Sequence, residues 1–177
     1  TGGLYGFATF PDPVVPANTD GVVCHYRTIG VSPNNFTTAN KGRTATHEVG
    51  HWLGLYHTFE GGCNGVGDNC FDTPYQEHST WSSPGNSNCP GSFQSAVYSC
   101  GSYDMYPNYM DYTDDDCLSM FTFGQKSRTR STLLNFRAPL LSSLGCVPPP
   151  ASWDCISPGN CQDPGNGTGI YTSLAAC

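Results

Sequence analysis

Residues 46–57 read Thr-His-Glu-Val-Gly-His-Trp-Leu-Gly-Leu-Tyr-His and hold three of the five histidines of the chain. Residues four apart on a helix lie on one face, so the imidazoles of His47 and His51 can reach a single metal ion. Gly54 can adopt a positive φ, end the helix and turn the chain, and His57 then becomes the third ligand. Three protein ligands leave one coordination position open, which is typical of a catalytic rather than a structural zinc.

Glu48 stands next to the first of these ligands, on the side where water would fill the open position. Zinc lowers the pKa of that water, and a carboxylate beside it can take up a proton as a general base. The alternative is that His47 and His51 are ordinary helix residues, because a bare His-Glu-x-x-His can occur by chance. The third histidine, at the spacing His-Glu-x-x-His-x-x-Gly-x-x-His, favours the zinc site.

The zinc helix is predicted to begin near Arg43 or Thr44 and to end at Gly54. Its face opposite the histidines is apolar at intervals of three and four residues, and we expect that face to pack against a core. The residues concerned are Ala45, Val49, Trp52, Leu53 and Tyr56.

The composition limits the class of protein. A chain of 177 residues suits one domain with an appendage, and a net charge of −7 argues against nucleic acid and anionic membranes as partners. Ten cysteines without a Cys-x-x-Cys pair indicate disulfides and an oxidising compartment. No stretch has membrane-spanning length and no signal peptide is visible, so we expect a soluble, secreted chain from which any targeting segment has been removed.

Two short strands and a second helix are predicted outside the zinc run. Residues 4–10 and 21–27 have strand character, and the helix extends from about Thr122 to Phe136. Its candidate packing residues are Phe123, Leu133, Leu134 and Phe136, with basic Lys126, Arg128 and Arg130 outside. Residues 60–108 are rich in Gly, Asn, Ser, Pro and Cys, so this segment needs disulfides or ions to hold one shape.

The chain changes character after Leu144. We predict a catalytic domain over residues 1–145, a stiff proline-rich linker over residues 146–150 and a Cys- and Gly-rich tail over residues 151–177. The tail has almost no aliphatic core and cannot fold as a catalytic unit. From Trp153 to Gly169 it is similar to a short repeat at the C-termini of secreted proteins of Bacteroidetes-type bacteria.

Three further motifs lie in a fixed order around the zinc run. They are Gly42-Arg43-Thr44-Ala45 before it, Asp72-Thr73-Pro74 after it, and Asn108-Tyr109-Met110-Asp111-Tyr112, which resembles the Met-turn of metzincins. Together they make residues 4–144 similar to the pappalysin, or cytophagalysin, branch of these metalloproteases. The resemblance implies an α+β zincin fold with an active-site helix, a C-terminal helix, the remnant of a mixed β-sheet and long disulfide-tied loops.

The family implies a role for each matched residue at the metal. Glu48 is the general base that takes a proton from the zinc-bound water and hands it to the leaving amine. Tyr112 corresponds to a tyrosine that can hydrogen-bond the tetrahedral intermediate, and its alternative is a packed core tyrosine. Met110 is expected to form a hydrophobic floor rather than to bind zinc, because a thioether is a poor zinc donor.

The resemblance also implies a structural calcium site in the loop after the third histidine. The side chains of Asp68, Asp72 and Thr73 and the carbonyls of Gly67 and Phe71 would be its ligands. Hard oxygen donors clustered in an irregular loop suit Ca²⁺. The alternative is a set of solvated loop carboxylates.

Three consecutive aspartates, residues 114–116, follow the Met-turn. In this fold the segment forms the wall of the pocket that receives the side chain just after the cleaved bond. A buried Asp116 there would favour Arg or Lys in the substrate. A solvated loop or a further cation site is the alternative.

The resemblance pairs four of the ten cysteines. Cys63 would join Cys100, and Cys89 would join Cys117, which ties the long loop to the segment around the Met-turn. Cys70 is unexpected at its place and leaves the other pairings open.

Only 46 residues precede His47, whereas a full metzincin of this branch has a much longer segment there. The strands at 4–10 and 21–27 correspond to the last two of its sheet, and the first is the edge that aligns substrate by backbone pairing. The upper subdomain is therefore expected to be incomplete. Either the chain is a fragment of a longer protease, or a cleaved N-terminal segment of the same precursor stays associated with it.

These inferences predict a secreted zinc endopeptidase that hydrolyses peptide bonds in protein or peptide substrates. The alternative, from another class, is an extracellular binding module that disulfides and calcium stabilise and whose zinc is inert. Glu48 favours the enzyme, since a structural site needs no carboxylate beside an open metal position. A gluzincin, with a distant glutamate as third ligand, is disfavoured by His57.

Overall fold

The computed structural model describes residues 3–16, 18–82, 89, 96–143, 151–157, 160–164 and 168–173. The chain divides into two units, Thr1–Ala138 and Pro139–Cys177, each of which is described by itself. The first unit ends before residue 145, where the sequence predicts the end of the catalytic domain. The linker predicted at residues 146–150 lies outside the described residues.

Two short strands open the first unit and pair with each other. Strands β1 (Gly6–Ala8) and β2 (Val22–Cys24) are antiparallel and lie inside the two predicted strand segments. A hydrogen bond from the His25 N–H to the Tyr5 carbonyl, at 2.8 Å, prolongs the ladder. A ribbon of two strands is marginal alone and depends on what it packs against, which here is the zinc helix.

The zinc helix is α1 (Arg43–Trp52), which begins where the sequence predicts and ends two residues before the predicted end at Gly54. Gly54 has a φ of +86° and turns the chain after the helix, as expected. The Leu55 N–H donates to the Gly50 carbonyl at 2.9 Å and closes the helix end. An added Cβ at Gly54 would lie 2.7 Å from Thr132 Oγ1, so both the backbone conformation and the space around it favour glycine.

The apolar face of α1 is not buried among the described residues, which corrects the prediction that it packs against a core. Val49 is 41% exposed, and the other four residues of that face are half-buried. Three residues of the face, Ala45, Val49 and Leu53, form one wall of an open groove of about 700 Å³. Phe121 and Phe123 line the same groove. The buried apolar cluster lies elsewhere and consists of Leu55, Cys70 and Met110.

The second helix, α2 (Phe123–Phe136), begins at a reciprocal cap. The Thr122 hydroxyl accepts from the Gln125 N–H at 3.1 Å, while the Gln125 side-chain oxygen accepts from the Thr122 N–H at 2.9 Å. The prediction of its packing residues is wrong for three of the four, and Leu133 is only half-buried. The three exposed side chains are Phe123 (70%), Leu134 (60%) and Phe136 (49%).

The face that α2 turns to the rest of the unit is polar. Gln125 is fully buried. Its side-chain amide is satisfied there, because it exchanges two hydrogen bonds with the side chain of Asn108, at 2.9 and 3.0 Å. Arg128 donates from Nε to the Gly54 carbonyl at 2.6 Å, and Arg137 donates from Nε to the Trp52 carbonyl at 2.9 Å. These arginines bind carbonyls that α1 leaves free at its C-terminal end, so polar contacts join the two helices.

The described residues of the segment between the helices have little regular structure, as the composition of residues 60–108 predicts. Short 3-10 turns at Gly62–Asn64 and Thr80–Ser82 are followed by a hairpin of β3 (Tyr98–Ser99) and β4 (Ser102–Tyr103). The disulfides that the resemblance implies are both present, and they join Cys63 to Cys100 and Cys89 to Cys117.

The described residues of the second unit form a hairpin. Strands β5 (Asp154–Ser157) and β6 (Asn160–Gln162) pair antiparallel, and an isolated bridge joins Trp153 to Tyr171. A short 3-10 helix, Ala138–Ser142, precedes them along the chain. Among the described residues of the whole chain, no helix has the length and apolarity needed to cross a membrane.

Candidate active site

Three imidazoles converge on one point, as the spacing of the histidines predicts. His47 and His51 project from α1, and His57 reaches them after the turn at Gly54. The Nε2 atom of His57 lies 3.3 Å from Nε2 of His47 and 3.1 Å from Nε2 of His51. Tetrahedral zinc with nitrogen ligands at about 2.0–2.1 Å would hold those nitrogens about 3.3 Å apart, so the geometry fits zinc.

Backbone carbonyls fix the ring orientation of the two helical histidines. Nδ1 of His47 lies 2.6 Å from the Tyr109 carbonyl, and Nδ1 of His51 lies 2.7 Å from the Leu55 carbonyl. A carbonyl oxygen only accepts, so both Nδ1 atoms carry the proton and both Nε2 atoms present a lone pair. Lone pairs that point at one another repel unless a cation lies between them, which makes the site a metal site.

The surroundings keep the imidazoles neutral. Burial, and then the neighbouring His51, lowers the pKa of His47 to about 4. Burial, followed by the other two rings, lowers the pKa of His57 to about 3, and burial also lowers the pKa of His51. Neutral rings bind a metal ion without first losing a proton.

Glu48 lies in a cleft of about 940 Å³ that β1 and Tyr112 also line. Its side chain is 6% exposed, and burial raises the pKa of the carboxyl group to about 7. A carboxyl group with a pKa near neutrality can both accept and return a proton at physiological pH. The position and the pKa of Glu48 therefore suit acid–base work beside the histidines.

Tyr112 lies at the edge of the histidine cluster and is not a packed core tyrosine. Its ring centroid is 4.8 Å from that of His57 and 5.4 Å from that of His47, and the residue is 40% exposed. Burial, and then Glu48, raise the pKa of its hydroxyl, which stays protonated and able to donate at neutral pH. Asp111 holds the segment by accepting from the Tyr112 and Thr80 N–H groups, at 2.7 and 3.1 Å.

Met110 is fully buried and packs against α1 at Gly50. A Cβ added to Gly50 would lie 2.5 Å from the Met110 sulfur, so the glycine allows the methionine to approach the helix one residue before His51. The Met110 N–H donates to the Asn108 side chain at 2.9 Å, and its carbonyl accepts from the Thr58 N–H at 3.3 Å. Met110 thus lies where the floor was expected.

Asp116 does not line the cleft. Its side chain is 61% exposed and pairs with Lys41, so the buried Asp116 on which the expected specificity depends is not found. Asp115 lines the cleft instead, is 4% exposed, and accepts from the backbone N–H groups of Lys41 and Arg43 at 2.7 and 3.2 Å. Three identical residues in a row give no sequence signal for which side chain turns inward.

The structure separates the five residues that were expected to bind calcium. Gly67, Asp68, Phe71 and Thr73 line a cavity of about 350 Å³. Asp72 does not line it, because its carboxylate accepts from the Thr122 hydroxyl at 2.7 Å and from the Gly124 N–H at 2.8 Å at the start of α2. These bonds lower the pKa of Asp72, against the opposing effect of burial.

Two residues that line this cavity each carry a buried oxygen that has no hydrogen-bond partner among the described residues. Oδ1 of Asp68 accepts from the Thr73 hydroxyl at 2.5 Å and from the Cys70 N–H at 2.9 Å. Oδ2 of Asp68 and the hydroxyl of Thr58 are buried and form no such bond within the part of the chain that the structure describes. Unpartnered buried oxygens are costly, and a bound cation would satisfy them.

The known proteins that this sequence resembles are metalloproteases. Residues 3–134 match the family described as "Pregnancy-associated plasma protein-A", peptidase M43. Extracellular metalloprotease 1 of Coccidioides posadasii is 42% identical over 142 residues, which are 77% of this chain and 48% of the relative. An extracellular metalloprotease of Podospora anserina is 44% identical, over 77% of this chain and 45% of the relative.

Solved structures agree with the sequence comparison. Mature mirolysin of Tannerella forsythia, in complex with a cleaved peptide, superimposes with a TM-score of 0.62 at 43% identity, covering 73% of this chain and 47% of mirolysin. Promirolysin from the same organism gives a TM-score of 0.63 at 42% identity, over 75% of this chain and 43% of promirolysin. This chain therefore spans about half the length of the proteins it matches. The chain belongs to the pappalysin family of metalloproteases, peptidase M43.

Proposed function

We propose that this chain carries the metal centre of an extracellular zinc endopeptidase that hydrolyses peptide bonds in proteins. The observation that carries the proposal is the convergence of three neutral imidazoles beside a buried carboxyl group. Zinc, when bound, polarises the scissile carbonyl and makes water more acidic. The relatives that are named extracellular metalloproteases support both the reaction and the location.

Glu48 is the general base of the proposed reaction. It accepts a proton from the attacking water and later gives it to the leaving amine, so the carboxyl group ends each cycle as it began. Its pKa of about 7 means that a substantial fraction is ionised at neutral pH, while the protonated form remains easy to reach. A residue kept only to support a structural metal would not need this property.

Tyr112 is proposed to donate a hydrogen bond to the oxygen on which negative charge develops. Its ring lies beside two of the three histidines and lines the cleft. The phenol remains protonated at neutral pH because its pKa is raised, so a donor is always present. Hydrogen bonds that strengthen as charge develops lower the barrier rather than only the binding energy.

The substrate is proposed to be an extended peptide that lies along β1. Residues 3–7 line the cleft, while β1 pairs with β2 on one of its edges. An extended peptide can pair with a strand edge through its own backbone, which requires no particular side chain. We also propose a preference for Arg or Lys just after the cleaved bond, with Asp115 in place of Asp116 as the source of negative charge.

A calcium ion is proposed in the cavity at Asp68. Oδ2 of Asp68 and the hydroxyl of Thr58, which have no hydrogen-bond partner among the described residues, support it. The further proposed ligands are Thr73 and the carbonyls of Gly67 and Phe71, residues that line the same cavity. Asp72 is not included, since its carboxylate caps α2. Added Ca²⁺ should raise the Tm of the parent protein and leave the Tm of Asp68→Asn unchanged, and an equal rise in both would contradict the site.

A cleaved segment of the same precursor is proposed to cover the apolar groove of α1 and α2. Val49, Phe121 and Phe123 line the groove, and the matched relatives are about twice as long as the part that aligns with this chain. The promirolysin structure supports a precursor for this kind of protein. Protease-resistant association of this chain with the rest of its precursor would support the proposal. If Val49→Asp weakens that association, the contact lies at the groove.

The test of the reaction is the digestion of azocasein by purified, zinc-loaded protein. Digestion is expected for the parent and is expected to stop when a zinc chelator is added. Glu48→Ala should keep its zinc and lose activity by roughly 1,000-fold, within the range for a general base. Digestion that survives Glu48→Ala, or zinc-loaded parent protein without digestion, contradicts the proposed function and favours an inert binding module.

A further inference from the structure

Gly6 of β1 lies directly against the side chain of Glu48. A Cβ built on Gly6 would lie 2.8 Å from both Cγ and Oε1 of Glu48 and 3.0 Å from its Cδ. Contacts this short are essentially absent for real Cβ atoms. Gly6 has no positive φ, so the strand conformation itself would accept any residue. The requirement for glycine therefore comes from the carboxyl side chain and not from the backbone.

Strand β1 cannot easily move back to make room. Gly6 is paired with Cys24, and the residue before it, Tyr5, accepts a backbone hydrogen bond of 2.8 Å. The ring of Tyr5 stacks on Phe36 at 4.7 Å. Two residues beyond the other end of β1, Phe10 stacks on an aromatic ring of the segment that follows α1. The two ring stacks therefore anchor β1 on both sides of Gly6.

Glu48 is held from the other side. It belongs to α1 between two of the converging histidines, and its side chain is 6% exposed. One of the atoms that a methyl group on Gly6 would meet is Cγ, the position of which is set by the first side-chain torsion. A methyl group at residue 6 would therefore force Glu48 into another rotamer and move the whole carboxyl group.

We infer that Gly6 is a positioning residue for the carboxyl group of Glu48: its missing side chain leaves the space in which that group lies beside the metal site. The inference rests on the proposed function, in which Glu48 moves the proton. It adds a role to β1 that differs from pairing with the substrate backbone, because it acts through Glu48 alone.

The test compares Gly6→Ala with a matched control, Gly21→Ala. Gly21 adjoins β2, has no positive φ, and a Cβ there would meet no atom within 4 Å. Gly6→Ala is expected to lower kcat by about 10- to 100-fold, because a misplacement of about 1 Å costs up to about 100-fold. KM and zinc content are expected to match the parent, and Gly21→Ala to behave as the parent in all three.

A second readout needs no activity. The Tm of the parent, Gly6→Ala, Glu48→Ala and the double variant form a cycle that measures the coupling of the two positions. The loss of Tm caused by Gly6→Ala is expected to shrink by at least half when Glu48→Ala removes the atoms that clash. Equal losses in both backgrounds would overturn the inference, and so would an unchanged kcat in Gly6→Ala.

The outcomes separate the inference from the proposed function. If the parent protein does not digest azocasein, the proposed function is wrong, and the Tm cycle still tests whether Gly6 positions Glu48. A rise in KM with an unchanged kcat overturns the positioning role, because it shows that residue 6 acts on the bound peptide instead.

Discussion

The two faces of α1 differ in a way that reverses the usual distribution of polar and apolar residues. His47, Glu48 and His51 form the buried face, with exposures of 6–7%. Ala45, Val49 and Leu53 form the opposite face, which borders an open groove. The polar face can be buried because its rings have carbonyl partners and can share a metal ion. Hydrogen-bond and metal partners, rather than hydrophobicity alone, therefore decide which face of this helix is covered.

The largest effect on the polar face of α1 is expected from the removal of a zinc ligand, which lowers the affinity for zinc. In His51→Ala only two imidazoles remain, and we expect zinc affinity to fall by more than about 100-fold, beyond the effect of losing an outer partner. Competition with a chromophoric chelator measures it. His78→Ala, at an exposed histidine, is the control and should bind zinc as the parent does. Similar affinity of parent and His51→Ala would remove the basis of the site.

Truncation of an apolar side chain should distinguish the open face of α1 from the buried apolar cluster that follows the helix, as measured by the free energy of unfolding. Leu55 is fully buried in the cluster with Met110, so Leu55→Ala should lower the free energy of unfolding by about 3 kcal/mol. Val49→Ala removes a side chain that is 41% exposed and should cost less than about 1 kcal/mol. Urea denaturation of both variants checks the contrast, which fails if Val49→Ala costs as much as Leu55→Ala.

The polar contacts that attach α2 to the end of α1 should contribute less to the free energy of unfolding than the side chain of Leu55 does. Arg137 is 6% exposed, pairs with Asp20, and lies over the Trp52 ring at 3.9 Å. Arg137→Met keeps the volume but loses these contacts and the bond to the Trp52 carbonyl, so we expect a loss of about 2 kcal/mol. Arg130→Met, on the exposed side of α2, is the control. A loss in Arg137→Met no greater than in the control would contradict a polar attachment.

The smallest expected effect is that of pH on zinc binding. The pKa values of His47 and His57 are about 4 and about 3, so both rings stay neutral as the pH falls toward those values. Protons therefore compete little with zinc, and affinity should change by less than about threefold between about pH 7.5 and about pH 5.5. Glu48→Gln is the variant to titrate, because its residue 48 does not ionise. A tenfold loss of zinc affinity per pH unit, beginning as the pH falls below about 6.5, would contradict this expectation, because it would show that the rings titrate like exposed histidines.

Local rules predicted the elements that carry the site. The spacing of the histidines and Gly54 predicted α1 and its turn, and α2 begins near the predicted Thr122, where the structure shows a reciprocal cap between Thr122 and Gln125. Each of these signals lies within about one turn of helix, where geometry follows from a few neighbouring residues.

The partners of α2 and the covering of α1 could not be predicted in the same way. Arg128 and Arg137 bind carbonyls that lie 74 and 85 residues earlier in the chain, and helical periodicity carries no information about such partners. The same periodicity identified the apolar face of α1 but could not tell whether anything covers it. For Asp115 and Asp116, the choice of the inward residue depends on backbone N–H groups at Lys41 and Arg43, which lie 74 and 72 residues before Asp115 in the chain.

The most direct test of the central claim is X-ray absorption spectroscopy of the zinc-loaded protein. Three imidazole nitrogens and one water oxygen are expected at about 2.0–2.1 Å from the zinc, in an open site formed by the buried face of α1 and His57. A sulfur ligand at about 2.3 Å, or a fourth ligand from the protein in place of water, would contradict it.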